Sequence, residues 1–211
     1  MPPKIKHTRK EVIQAAMRVV EEAGLSSLTA RSVALKLGSS TAPVYQQFAT
    51  MDELRFEVIR ETQRSLLEYA SRPYTERVFL NMGTGIAMFA CEHAPLYRAL
   101  MLEGDRYADV VREFVATLES EMIKDTRFAS LSSRERHVLL TKMWTFTHGF
   151  ASLISVGLIE KCTQSHVIGT LLDIGTDVIG ATLAKHSKAA ASHRSHKRKG
   201  ASGSPTGRRR S

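Results

Sequence analysis

Apolar residues recur every three or four positions through most of this chain, so the pattern predicts helices throughout and no strand. Val12, Ile13, Ala16, Val19, Val20 and Ala23 trace one face of a first helix. The T-x-x-E spacing of Thr8 and Glu11 opens it and Gly24 closes it. A second, shorter helix follows Thr29, with Ala30, Val33, Ala34 and Leu37 on its apolar face and Arg31, Ser32 and Lys36 in water. Gly38 then supplies a turn that calls for positive φ. A third helix, from about Ser40 to Gln47, turns Val44 and Phe48 inward, with Ser39 and Ser40 as candidate caps. Thr50 and Glu53 repeat the capping-box spacing and open a fourth helix that buries Leu54, Val58, Leu66 and Tyr69.

Beyond Tyr69 the same periodicity predicts a bundle of longer helices. Arg77 to Glu92 is one, apolar through Val78, Phe79, Met82, Ile86 and Phe89; Pro95 suits the first turn of the next, and Asp105 to Lys124 makes another. Ser132 or Ser133 caps a helix through Leu140, Trp144, His148 and Leu153, and Ser165 begins a last one through Ile168, Leu172, Gly175, Ile179 and Leu183. The predicted fold is therefore all-α. A three-helix unit over residues 1–50 contains a helix-turn-helix, and a helical bundle over 51–185 begins with the connecting helix.

The third helix carries the chemistry. With Val44 and Phe48 packed inward, it presents Ser40, Thr41, Ala42, Pro43, Tyr45, Gln46 and Gln47, a small, uncharged, hydrogen-bonding surface of the kind that fits base edges in a major groove. A hairpin that only packs is the alternative for such a segment. Pro43 is tolerated in a first turn but biases Ala42 away from helical angles, which leaves the start of this helix open by a residue or two.

From Thr8 to Tyr69 the order of helix, turn, helix, glycine, helix and capped connecting helix resembles the DNA-binding domain of the tetracycline-repressor (TetR) family. The resemblance rests on Gly38, Ser40, Thr41 with Ala42, Val44, Tyr45, Gln46 with Gln47, and Phe48. It implies that the third helix enters the major groove and that Tyr45 and Thr29 meet phosphates, with Arg31, Lys4 and Lys6 added to the expected DNA-binding set. Met51 stands where many members carry a lysine, and Ser39 where many carry an apolar residue.

The second half is similar to that family's ligand-binding and dimerisation domain, and the Trp144, His148, Gly149 spacing looks like the W-x-x-x-H-G signature of one C-terminal subgroup. The resemblance implies a homodimer through the last two helices, with Gly149, Leu153, Ser155, Gly157, Leu172, Gly175 and Ile179 at the interface. Two reading helices then lie about one DNA turn apart, roughly 34–36 Å, on a near-palindromic double-stranded operator. The alternative for the glycines is packing within one subunit. Met82, Met88, Phe89, Tyr97, Met101, Phe114, Met122, Trp144 and His148 are candidates to line an apolar cavity for a small-molecule effector.

Charge sharpens the picture. Residues 1–50 hold seven Lys and Arg against three acids, residues 51–185 fifteen against eighteen, and residues 186–211 eight against none. The last stretch, rich in Ala, Ser and Gly, reads as a disordered basic tail that either adds sequence-independent affinity for DNA or is solvated without a dedicated role. Cys91 and Cys162 lack metal spacing and are expected as buried thiols. No apolar run or leader pattern stands out, so the expectation is a cytoplasmic protein with no membrane partner. No phosphate-cradling loop, G-x-S-x-G elbow or metal cluster is present in the sequence, so no catalytic residue, metal or cofactor is expected. The reading is a DNA-binding transcriptional regulator, a repressor released by its effector. The competing classes are a nonspecific DNA-binding protein using its tail and an all-α enzyme.

Overall fold

The computed structural model describes residues 7–103, 105–160 and 162–201, with side chains at all of these but Asp105 and residues 189–201. Among the described residues nine α-helices run α1 (Arg9–Ala23), α2 (Ala30–Leu37), α3 (Ala42–Gln47), α4 (Met51–Ala70), α5 (Val78–Glu92), α6 (Ala94–Met101), α7 (Ala108–Met122), α8 (Ser133–Ser155) and α9 (Gln164–Ala201), and no strand occurs. Short 3-10 turns at Leu25–Ser27, Asp105–Tyr107 and Thr126–Phe128 join them.

Local capping sets where the helices start. Thr8 with Glu11, and Ser132 with Glu135, form complete capping boxes on α1 and α8. At α4 the box is half made: Thr50 caps the Glu53 amide, but the Glu53 carboxylate takes the amide of Ala49 instead, at 2.9 Å. Helices α1 to α4 bury Val12, Ala16, Leu28, Val33, Val44 and Phe48 against Leu54 and Val58, and this core continues into Phe79, Ile86, Phe89, Phe114 and Leu139 of the bundle. The long α4 joins the two halves; its buried Gln63 donates to the Val110 carbonyl of α7 at 2.9 Å. Two backbones approach closely at Gly85. A Cβ there would stand 2.1 Å from the main-chain oxygen of Tyr69, so α5 crosses the end of α4 only with a residue that has no side chain.

Two expectations are corrected. The tail does not begin at residue 186 as an unstructured arm, because α9 continues to Ala201; Ala, Lys and Arg, strong helix formers, dominate that extension. Residues 202–211 lie outside the described residues. Cys91 and Cys162 are paired as a disulfide, with Cα atoms 5.9 Å apart, because the chain entering α9 returns past the end of α5. Sequence spacing holds no trace of that return. By length and composition alone the Gln164–Lys188 stretch of α9 could cross a membrane, its most apolar 18-residue window having a mean hydropathy of 1.5 with 17% of it buried. Exposed Asp173 and Asp177, one turn apart within it, are groups that a bilayer interior would penalise.

Candidate nucleic-acid interface

The turn between α2 and α3 is built from the residues that the sequence marks. Thr29 Oγ1 accepts the Ser32 amide at 3.1 Å, and Ser32 Oγ accepts the Thr29 amide at 2.9 Å, a reciprocal cap on α2. Gly38 ends that helix in the left-handed region, φ 62°, and the Ser39 amide turns back to the Ala34 carbonyl at 3.1 Å. The next helix starts at Ala42, within the range that the sequence left open. Thr41 is in helical geometry without a side-chain cap, and Ser40 Oγ reaches the Ala42 amide at 3.4 Å, so α3 has six residues with Pro43 in its first turn.

Of the expected DNA-facing residues, Thr29, Arg31, Ser40, Ala42, Tyr45 and Gln46 are exposed, Tyr45 by 58%, and Thr41 is half-buried. Two are corrected. Pro43 is buried beside Val44, because a helix this short turns both into the core together. Gln47 faces back into the domain, where its Nε2 donates to the His7 carbonyl at 3.0 Å. Lys4 and Lys6 lie outside the described residues.

Two arginines to which the sequence reading assigned no role hold this surface in place. Arg9 Nη1 donates to the Gln47 carbonyl at 2.7 Å, its Nη2 pairs with Glu53 at 3.0 Å and Glu57 at 3.3 Å, and its guanidinium covers the Phe48 ring at 4.1 Å. Arg55 Nη2 donates at 3.0 Å to the carbonyl of Leu28, the residue before the α2 cap, while Nη1 pairs with Asp52. Asp52 also meets Arg106 at 2.8 Å, which links the start of α4 to the loop before α7. Hydrogen bonds from Arg106 and then Arg55 hold the Asp52 carboxyl below its usual range; for Glu53 the Ala49 amide does so first and Arg9 second. Arg55 and Leu28 lie 27 residues apart in sequence and Arg9 and Gln47 lie 38 apart, beyond any local signal.

In the bundle, a cavity of about 320 Å³ opens between α5, α8 and α9, with one wall residue, Leu118, from α7. Met82 and Trp144 line it, alongside Phe79, Ile86, Met143 and Leu171. The other ligand candidates do not. Phe89, one turn beyond Ile86 on α5, packs edge-on to Tyr69 at 5.3 Å. Tyr97 is fully buried with its hydroxyl 2.8 Å from His148 Nδ1, and His148 stacks on Trp144 at 5.3 Å. Burial holds the His148 imidazole below its ordinary pKa. Phe114 packs behind Trp144 at 5.7 Å, Met122 is fully buried, and Met88 and Met101 pack partly buried against the core.

The expected interface residues divide as well. Gly149, Leu153, Gly157 and Leu172 are exposed, and Leu153 shares the region with Val156 and with Leu158, which is 72% exposed. Ser155 is buried, with its hydroxyl on the Ser152 carbonyl. Gly175 is buried near Met143 and lines the cavity, as does half-buried Ile179. The period of α9 thus serves two surfaces, one turned to the chain's own cavity.

Residues 12–58, which hold this interface, match the family model of bacterial regulatory proteins, tetR family. Over 167 residues the chain is 21% identical to the uncharacterized HTH-type transcriptional regulator YobS of Bacillus subtilis, covering 76% of this chain and 86% of that one. The fold is shared with the multidrug binding protein EbrR, solved in complex with malachite green (TM-score 0.56, 15% identity, 79% of this chain and 97% of that one). It is shared equally with a TetR family protein of Vibrio parahaemolyticus (TM-score 0.55, 16% identity, 79% and 97%). The capped hairpin and its exposed third helix thus lie within a tetR-type DNA-binding region, residues 12–58, in a chain whose fold is shared with TetR-family regulators.

Proposed function

We propose that this protein represses transcription as a homodimer, with residues 1–50 reading a near-palindromic duplex and the bundle from residue 51 onward pairing the subunits and sensing a small molecule. The observation that carries the reading is the exposure of Tyr45 and Gln46 on a helix braced from behind by Arg9. Gln46 offers an amide that pairs bidentately with adenine, and Tyr45 and Thr29 offer hydroxyls to phosphate.

Dimerisation is supported by the apolar surface around Leu153, Val156, Leu158 and Leu172 where α8 ends and α9 begins, and by the low burial of α9. A single α3 contacts too few base pairs for useful specificity, so two copies are needed. The cavity beside Trp144 supports an effector, which releases DNA to the extent that it prefers a conformation with the two α3 helices wrongly spaced.

The test is unbiased selection of duplexes bound by the full-length protein. Recovery of an inverted repeat with half-site centres about one helical turn apart is the expected result. Recovery of unrelated sequences bound with equal affinity would replace this reading with nonspecific DNA binding.

A further inference from the structure

The cavity between α5, α8 and α9 has a chemical bias that defines what it holds. Its walls are apolar, from Phe79, Met82, Ile86, Met143, Trp144 and Leu171. Two cations, Arg77 and Arg127, line it as well, and among the described residues no Asp or Glu does. Arg77 is the exposed N-cap residue of α5. Arg127 is held in one orientation by the buried carboxylate of Asp125, with Nε to Oδ1 at 2.8 Å and Nη2 to Oδ2 at 2.6 Å, which leaves Nη1 available. Thr147 and Thr176 complete the polar lining, and the Thr176 hydroxyl is already on the Leu172 carbonyl at 2.7 Å.

We propose that this cavity binds an amphipathic carboxylate, an aliphatic or aromatic body among the apolar walls with its anionic head on Arg77 and Arg127. A volume of about 320 Å³ is at the small end of ligand cavities, which fits a compact body. A planar guanidinium fixed by a buried acid loses little freedom on pairing with a carboxylate, and such pairs are stronger than neutral hydrogen bonds. An organic cation finds the charge of Arg77, an Arg127 whose charge Asp125 already balances, and no negative lining residue among the described residues. This inference rests on the proposed effector role of the same cavity and adds the ligand class.

The experiment uses three probes with one tail and three head charges: decanoate, decanol and decyltrimethylammonium, each below its micellar range. Trp144, the only tryptophan in the chain, lines the cavity and reports binding by its emission without any DNA present. Decanoate is expected to give a saturable change with a dissociation constant roughly tenfold below that of decanol, and the cation the weakest response. Arg77→Gln and Arg127→Gln each weaken decanoate by about tenfold and leave decanol nearly unchanged. Arg127→Gln leaves Asp125 buried alone and can fail to fold, so exposed Arg77→Gln carries the comparison in that event. Equal or tighter binding of the cation, no saturable response to any probe, or unchanged decanoate binding in Arg77→Gln would overturn the proposal. A parallel gel shift on the selected operator separates the two readings. Decanoate that binds at Trp144 without altering DNA affinity leaves the site standing and removes the switch, whereas release of operator by the cation keeps the switch and removes the carboxylate.

Discussion

The guanidinium of Arg9, in the first turn of α1, donates at 2.7 Å to the main-chain carbonyl of Gln47, the last residue of α3. A six-residue helix is too short to persist alone, and its final carbonyls have no partner within the helix. Arg9 supplies one and sets a positive charge at the negative end of the helix dipole. The ion pairs that Arg9 makes with Glu53 and Glu57 are partly solvated and count for less. Arg9→Met should lower stability by about 1–2 kcal/mol in denaturant titration and weaken operator binding, although Arg9 is not a base-reading residue. Unchanged DNA affinity in the folded variant would mean that α3 holds its place without this bond.

Neighbouring glutamines on α3 should respond differently. Gln46 is exposed, and Gln46→Ala should weaken the preferred duplex by about 1–3 kcal/mol with little effect on scrambled DNA. Gln47, bound to the His7 carbonyl, should instead cost about 1 kcal/mol of stability when replaced by Ala. Equal losses on both duplexes for Gln46→Ala would demote that residue to a phosphate contact.

Gly85→Ala puts a methyl group where the Tyr69 main-chain oxygen stands, 2.1 Å from the new Cβ. Neither backbone yields cheaply, so we expect a loss of about 3 kcal/mol, visible as a drop in Tm. A Tm within error of the unaltered protein would rule out so close a crossing of α4 and α5.

His148 links stability to pH. Its folded-state pKa lies below the ordinary 6.5 because burial disfavours the imidazolium, so on acidification the unfolded chain takes up this proton first. The contribution is complete above 6.5 and is lost as pH falls from that value through the lower folded-state pKa. Thermal melts from pH about 8 to about 5 should fall more steeply for the native protein than for His148→Gln. Emission of Trp144, stacked on this imidazole, should titrate over the same interval and stop doing so in the variant. Parallel melting curves would place the titration elsewhere.

The basic C-terminal residues should act through phosphate alone. Seven Lys and Arg follow Lys188, and a chain ending at Lys188 keeps the 2.7 Å contact of His186 with Glu135. On a salt series, the truncated protein should show a slope of log affinity against log salt shallower by about 0.9 per lost phosphate contact, with an unchanged preference for operator over scrambled DNA. Identical slopes would leave this extension with no part in binding.

What the sequence by itself determined is whatever depends on residues within a turn of one another. Thr8, Thr29 and Ser132 cap their helices as their spacing demands, Gly38 takes the left-handed turn, and Val44 and Phe48 face inward, because each outcome is set by bonds or by a period spanning three or four residues. That locality made the helix-turn-helix legible, along with the exposure of Tyr45 and Gln46. Tertiary structure decided everything that joins distant segments. Arg9 finds Gln47 and Arg55 finds Leu28, Cys91 meets Cys162, and the cavity draws its walls from four helices, taking Met82 and Trp144 while leaving Phe89, Tyr97 and His148 to other contacts. A helix has several faces, and apolar periodicity marks a face as buried without naming its neighbour. Only the packing of α5 against α4, α8 and α9 assigned one side of it to the connecting helix and another to an arginine-lined cavity.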